Sequence, residues 1–185
     1  VQPPLPKPMH EYSSSLIVTP PLGLGYIASK LRQDGLNVET IDMAILDLGL
    51  GELKQKLQRT EPRIVGIAAE TLTSKNALKI ADLVKEVNEE NWTILGGPHV
   101  TFKDEETLRN PNVDVVVRRE GELTMSALAQ RIHSGKVDLE DIDGITYRKN
   151  GRIVKNSDRP LIEDLDGLPV PAREFFPLHL YKYPG

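Results

Sequence analysis

One stretch limits the fold more than any other. Arg63-Ile-Val-Gly-Ile-Ala-Ala69 is a nearly continuous apolar run of strand length. A strand with one wet face alternates apolar and polar residues. A run without alternation predicts a strand covered on both faces, as in parallel sheets. The flanking sequence agrees. Leu24, Ile27, Ala28 and Leu31 recur at helical spacing and predict a helix that stops near Gly35. Val38-Glu-Thr-Ile-Asp42 reads as a short strand, and Leu50, Leu53 and Leu57 mark a second helix. Ala77, Ile80, Ala81, Val84 and Val87 mark a third helix, and Thr93-Ile-Leu95 is a strand ending at Gly96 and Gly97. A short helix around residues 104–109, a strand at Asp114-Val-Val-Val117 and a helix over residues 122–133 continue the alternation. This β-α order predicts an α/β fold, a doubly wound parallel sheet with helices on both faces. Val1-Gln2-Pro3-Pro4 reads as the end of one more strand, its beginning missing from the chain as given. Its two prolines cannot donate to a ladder.

The texture changes after residue 140. Gly144-Ile-Thr-Tyr-Arg148 and Arg152-Ile-Val-Lys155 flank Asn150-Gly151, a strong hairpin signal. The expected organisation is a main domain over residues 1–140, a β-hairpin over 141–157, and a proline-rich linker and extended arm over 158–185. Phe175, Phe176, Leu178, Leu180 and Tyr181 make the arm too apolar for open solvent. The prolines are expected to hold it away from its own domain, so that it meets a neighbouring copy and allows self-association.

Composition excludes several functions. At 185 residues the chain can bury roughly 70% of its unfolded surface as one domain. A net charge of −4 offers no electrostatic case for nucleic acid. No apolar run approaches the roughly 20 residues of a membrane helix, and residues 1–10 lack a signal peptide's apolar core. A cytoplasmic protein is expected. The absence of cysteine removes disulfides, thiolate metal sites and cysteine nucleophiles together. No catalytic set and no metal-ligand spacing stands out: Ser13, Ser14 and Ser15 lack a nucleophile's context.

Gly23-Leu-Gly25-Tyr-Ile-Ala28 matches the G-x-G-x-x-A dinucleotide fingerprint, with Asp42 19 residues beyond Gly23. A fingerprint turn runs directly from strand to glycine, whereas here Pro20 and Pro21 intervene and stiffen the chain. Gly23 and Gly25 are therefore expected in the first helical turn, where they let the helix lie close to a sheet or a ligand.

The better-placed pair is Gly96 and Gly97, directly after a strand. In open α/β sheets ligands bind at the carboxyl edge. Glycine there lets a large flat ligand approach the backbone, and Gly97→Trp is expected to fill ligand space while sparing the fold. Topology brings further loops to that edge. Candidate contacts are Pro3, Pro4 and His10 from the first loop, and Glu70, Thr71, Leu72 and Thr73 from the next. Pro98 and His99 follow the glycine pair, and Glu120, Gly121 and Glu122 open the last helix. His99 reads equally as a plain loop histidine, and Glu120 and Glu122 as amide acceptors or helix caps. His133 ends a helix, where a cation favours the dipole.

In their order, these pieces resemble the N-terminal cobalamin-binding domain of B12-dependent radical SAM enzymes. The group most like it is the Mg-protoporphyrin IX monomethyl ester oxidative cyclase type, of tetrapyrrole biosynthesis. The resemblance rests on Gln2-Pro3-Pro4, Pro20 to Ala28, Ile64-Val-Gly-Ile67 and Leu95-Gly-Gly-Pro-His99. It continues through Glu120-Gly-Glu122, Gly144-Ile-Thr-Tyr147 and Glu163-Asp-Leu-Asp-Gly-Leu-Pro-Val-Pro-Ala-Arg173. It implies a flavodoxin-like sheet of order 2-1-3-4-5 holding cobalamin at its carboxyl edge, with Gly23 and the loop residues above as contacts. It also implies a linker into a radical SAM domain, the expected partner, where S-adenosylmethionine and a 4Fe-4S cluster would sit. That domain's cysteines are absent here, so the chain alone is not expected to catalyse a cyclase or methyltransferase reaction. The cobalt-ligating Asp-x-His-x-x-Gly motif of other B12 proteins is absent, Ala68-Ala-Glu70 replaces their Ser-x-Leu, and Arg119 stands where the family commonly has Gly. The competing readings are an NAD-type oxidoreductase fragment and a non-binding flavodoxin-like interaction domain.

Overall fold

A computed structural model of the chain describes residues 1–6, 19–135 and 138–181. The apolar run becomes β1 (Ile64–Ala68). It pairs in parallel with β2 (Trp92–Gly96), Ile64 opposite Trp92, and β2 pairs in parallel with β3 (Val115–Val117). β4 (Ile145–Lys149) and β5 (Arg152–Lys155) add antiparallel beyond β3, so the five strands lie in the order β1-β2-β3-β4-β5. The expected hairpin is present. Its turn residues Asn150 and Gly151 both take positive φ, 51° and 77°, the geometry for which Asn-Gly is chosen.

Two shorter segments extend the sheet beyond β1. The Ala68 amide donates to Val1 O, the Gln2 amide to Ile41 O, and the Met43 amide to Gln2 O. Residues 1–2 therefore lie between β1 and residues 41–43, joined by a parallel bridge at Gln2 and Asp42. Counted in chain order with these segments, the parallel part of the sheet runs 2-1-3-4-5. Of residues 38–42, only Asp42 forms a ladder bridge, opposite Gln2, so the expected strand is reduced to that bridge.

Helices cover both faces. Alternation assigns Val65, Ile67, Leu95 and Val116 to one side. There α2 (Leu50–Thr60) contributes Leu53 and Leu57, and α3 (Ser74–Val87) contributes Ile80 and Val84. Ile94, Val115 and Val117 face the other side, against α1 (Leu22–Gln33) through Leu31 and α6 (Glu122–His133) through Met125, Leu128 and Ile132. The single short helix expected near residues 104–109 is instead two, α4 (Pro98–Phe102) and α5 (Asp104–Thr107), separated where Lys103 leaves helical geometry. Among the described residues no helix is long and apolar enough to cross a membrane.

A charged clamp ties the hairpin to β3. The buried Arg118 donates to Thr146 Oγ1 at 2.6 Å and to Asp158 Oδ1 at 2.8 Å. Thr146 donates onward to Asp104 Oδ2 at 2.7 Å, and Lys155 Nζ lies 2.8 Å from the same oxygen. Burial pushes the Asp104 carboxyl up, but Lys155 and Thr146 outweigh it and hold it below the ordinary carboxylate range.

The arm does not extend away, which corrects the expectation from its prolines. It turns back along α1 and packs on its own domain. Ser29 Oγ donates to Val170 O, the Ala172 amide to Gly25 O, and Thr40 Oγ1 to Phe175 O. Arg32 pairs with Glu174 at 2.7 Å and lies over the Phe175 ring, 5.0 Å from its centroid. Phe176 and Tyr181 are buried, and the Tyr181 hydroxyl donates to Asp42 Oδ2 at 2.8 Å. Of the apolar groups meant for a neighbouring copy, Phe176 and Tyr181 are covered within the chain and Phe175 is half-buried, while Leu178 and Leu180 stay exposed. The prolines set the arm's direction at each step without preventing its return.

Candidate functional site

β1 is covered unequally. Val65 and Ile67 are buried against α2 and α3, while Ile64, Gly66 and Ala68 on the opposite face are only half-buried. Between that face and α1 lies a cavity of about 1760 Å³. Gly66 and Ile94 contribute its floor, Leu24, Ile27 and Ala28 of α1 one wall, and Met125 of α6 another. It opens at the carboxyl edge among Pro3, Gly97, Glu120 and Glu122, and its far end reaches Arg63 and His133. A usual small-molecule pocket holds roughly 300–1,000 Å³, so this one suits a large ligand.

Gly66 is the feature that clears the floor. A Cβ built there would meet only Met125 Cε, at 3.8 Å. Sequence reasoning passed over it, although a glycine inside an otherwise branched apolar strand signals close approach by something else. Gly97 behaves differently from expectation. It has φ +117°, and a Cβ there would stand 2.9 Å from Ala69 O. Its missing side chain makes room for the backbone of the next loop, so a tryptophan there would disturb the fold. That corrects the expected harmless substitution. Gly96 has only ordinary contacts, with Val117.

Of the other expected contacts, Pro3, Gly23, Glu70, Thr73, Gly96, Pro98, Glu120, Gly121 and Glu122 line the cavity together with Gly97. Pro4, Thr71, Leu72 and His99 are not part of its lining. Pro4 is instead tied down by Asn76 Nδ2, which donates to its carbonyl at 2.8 Å. The His99 ring faces Thr71 Oγ1 at 3.4 Å. His10 lies outside the described residues, as do Ser13, Ser14 and Ser15. Among the described residues no group of three or more His, Asp or Glu side chains could hold a metal ion.

The glycine fingerprint has a local explanation. The Gly25 amide donates to Pro21 O within the first turn of α1, and a Cβ on Gly25 would stand 3.1 Å from Pro171 Cβ. Gly25 makes room for the returning arm. Gly23 is open.

The acidic pair at the mouth divides its work. Glu120 Oε2 accepts the Ile162 amide at 2.7 Å, tying the linker to the cavity's rim. Neither glutamate caps α6, whose N-cap is Gly121 with no side-chain bond. Glu122 Oε2 is buried, with no hydrogen-bond partner among the described residues. Arg119 adopts φ +59°, a conformation glycine reaches more easily. Its amide donates to Thr101 Oγ1, and its guanidinium pairs with Asp158 at 2.9 Å.

A family model for the B12 binding domain matches residues 14–129. The chain belongs to the B12-binding domain family. An uncharacterised methyltransferase of Pyrococcus horikoshii is 39% identical over 167 residues, covering 90% of this chain and 36% of that protein. The anaerobic magnesium-protoporphyrin IX monomethyl ester cyclase of Rubrivivax gelatinosus is 34% identical over 152 residues, covering 80% and 27%. Among solved structures, the cobalamin-dependent S-adenosylmethionine radical enzyme OxsB, with aqua-cobalamin and S-adenosylmethionine bound, superposes with a TM-score of 0.73. That match has 23% identity and covers 86% of this chain and 22% of the other, a likeness of fold. The chain thus spans about a third of the length of the curated relatives, or less. The resemblance read from the motif order is borne out by this membership and by these relatives.

Proposed function

We propose that this chain holds cobalamin in the cavity between β1 and α1 and, within a longer protein, presents it to a radical SAM domain. One observation carries the reading: a cavity of about 1760 Å³ with an apolar floor, opened by a glycine in mid-strand, at the carboxyl edge of the sheet. The residues present fit the group. Apolar walls suit the body of the ligand. The polar groups at the mouth, Glu70, Thr73, Glu120 and Glu122, suit the amide-bearing rim of a corrin. Bound cobalamin supplies the cobalt-centred chemistry. The chain's own residues seat it, orient it and exclude water from its buried side. The partner domain would hold S-adenosylmethionine and the iron–sulfur cluster, and the names of the relatives suggest methyl transfer or oxidative cyclisation as the reaction. Exposed apolar residues such as Phe102 (84% exposed) and Val170 (82% exposed) support a further surface in contact with that domain.

The test is a titration of the purified protein with hydroxocobalamin, followed by its visible spectrum, with NADH as the control ligand. Gly66→Val is the informative variant. Valine suits a strand and meets little there, so the melting temperature is expected to hold while the affinity falls at least tenfold. Retained nicotinamide fluorescence without corrin binding would favour the dinucleotide reading. Equal affinity in Gly66→Val would remove this cavity from the site.

A further inference from the structure

Thr101 joins two loops of the cavity mouth without belonging to its lining. Gly97 follows β2 and Arg119 follows β3, and both line the cavity at the carboxyl edge. Both also hold positive φ, 117° and 59°. Thr101, half-buried in α4, bridges them. Its hydroxyl donates to Gly97 O at 3.0 Å and accepts the Arg119 amide at 2.9 Å. The first bond is the usual one from a helical threonine to the carbonyl four residues earlier, and it uses the hydroxyl's only proton. That bond fixes the rotor, so the oxygen's free lone pairs serve the Arg119 amide. The loop after β1 is tied into the same line. The Ala69 amide donates to Gly96 O at 2.7 Å, and the His99 amide to Ala69 O at 3.2 Å.

A residue other than glycine keeps a left-handed backbone only where its surroundings hold it there. The Arg119 side chain is held by Asp158, and its amide by Thr101. Resting on the cobalamin reading above, we infer that Thr101 is a positioning residue for the ligand. It fixes the loops after β2 and β3 in the shape that receives the corrin, and acts through Gly97 and Arg119. A mouth set in advance spares the ligand the cost of ordering it. Without the hydroxyl, only the fraction of molecules with the loop in place is ready to bind.

The experiment separates the hydroxyl from the methyl. Thr101→Val keeps the shape and removes both bonds, and Thr101→Ser keeps the hydroxyl alone. Each is titrated with hydroxocobalamin and followed by its visible spectrum, with circular dichroism to verify folding. Should the valine variant fail to fold, Thr101→Ala takes its place. Thr101→Val is expected to bind about fivefold more weakly, the scale of a hydrogen bond. Thr101→Ser should stay within about twofold of wild type, since it restores donor and acceptor together. In the ligand-free protein, the Arg119 amide of Thr101→Val should exchange its hydrogen about fivefold faster, with the amides of β1 unchanged. Wild-type affinity in Thr101→Val, or a serine variant as weak as the valine one, would overturn the inference while leaving cobalamin binding intact. Unchanged exchange at Arg119 would overturn it whether or not ligand binds. No uptake of hydroxocobalamin by the wild type would overturn the cobalamin reading itself.

Discussion

Two glycines on the cavity's border show how differently the same residue can be required. Gly97 sits at φ +117° with its absent Cβ directed at the Ala69 backbone, so even a methyl group forces the loop to move. Gly97→Ala is expected to destabilise the fold by about 2–3 kcal/mol, from backbone strain and the clash together. Chemical denaturation would measure it, and an unchanged midpoint would show that the loop yields freely. Gly66 has ordinary strand geometry and open space before it, so its requirement lies outside the fold. The sequence singled out Gly97 and passed over Gly66, and it did not carry this difference, since neither φ nor the proximity of Ala69 is encoded within a few neighbouring residues. Glu122 was legible as a candidate because it opens a helix at the carboxyl edge. That its Oε2 is buried with no partner among the described residues was not legible, because that depends on how α6 packs within the fold.

The strands and helices with strong periodicity were readable. β1, β2, α3 and α6 lie close to where apolar spacing puts them, because each buries its pattern locally. The arm was not readable, because its docking depends on partners more than 130 residues away in the chain: Gly25, Ser29, Thr40 and Asp42. With Ala172, Phe176 and Tyr181 buried, truncation after Pro169 removes apolar burial worth roughly 1.5–3 kcal/mol for each large side chain. For a chain of this size the melting temperature should drop by about 10 °C. A truncated chain that melts with the full one would mean the arm is only loosely held. The hairpin clamp should respond to acid. Asp104 is held below its ordinary range by Lys155 and Thr146 despite burial, and Asp158 by Arg118. Their folded pKa values lie below the unfolded ones, so their contribution is fully present above about pH 4 and is lost as pH falls through the folded values. Amide protection factors in β4 and β5 should accordingly fall below about pH 4, and be lower at every pH in Arg118→Met, which removes the guanidinium that bonds Thr146 and Asp158.

At the scale of the whole molecule, the arm and the cavity share one element. α1 presents Leu24, Ile27 and Ala28 to the cavity, while Gly25, Ser29 and Arg32 on the same helix receive the arm. A helix held from behind keeps its ligand-facing side in register with the sheet, and a ligand filling the cavity braces the same helix from the front. Arm docking and ligand binding should therefore support each other, and linkage makes the support equal in both directions. Hydroxocobalamin at 100 times its Kd should stabilise the full chain by about 2.7 kcal/mol, which for this size is a rise in melting temperature of roughly 5–10 °C. The chain truncated after Pro169 should bind about tenfold more weakly, within the usual range of coupling between sites. Tyr181→Phe removes only the hydroxyl bonded to Asp42 and should fall between the two. Thermal melts across a hydroxocobalamin titration of the three proteins measure both quantities together. If the truncated chain melts lower yet binds with undiminished affinity, the arm stabilises the domain without shaping the cavity, and α1 is held in place by the sheet and α6 alone.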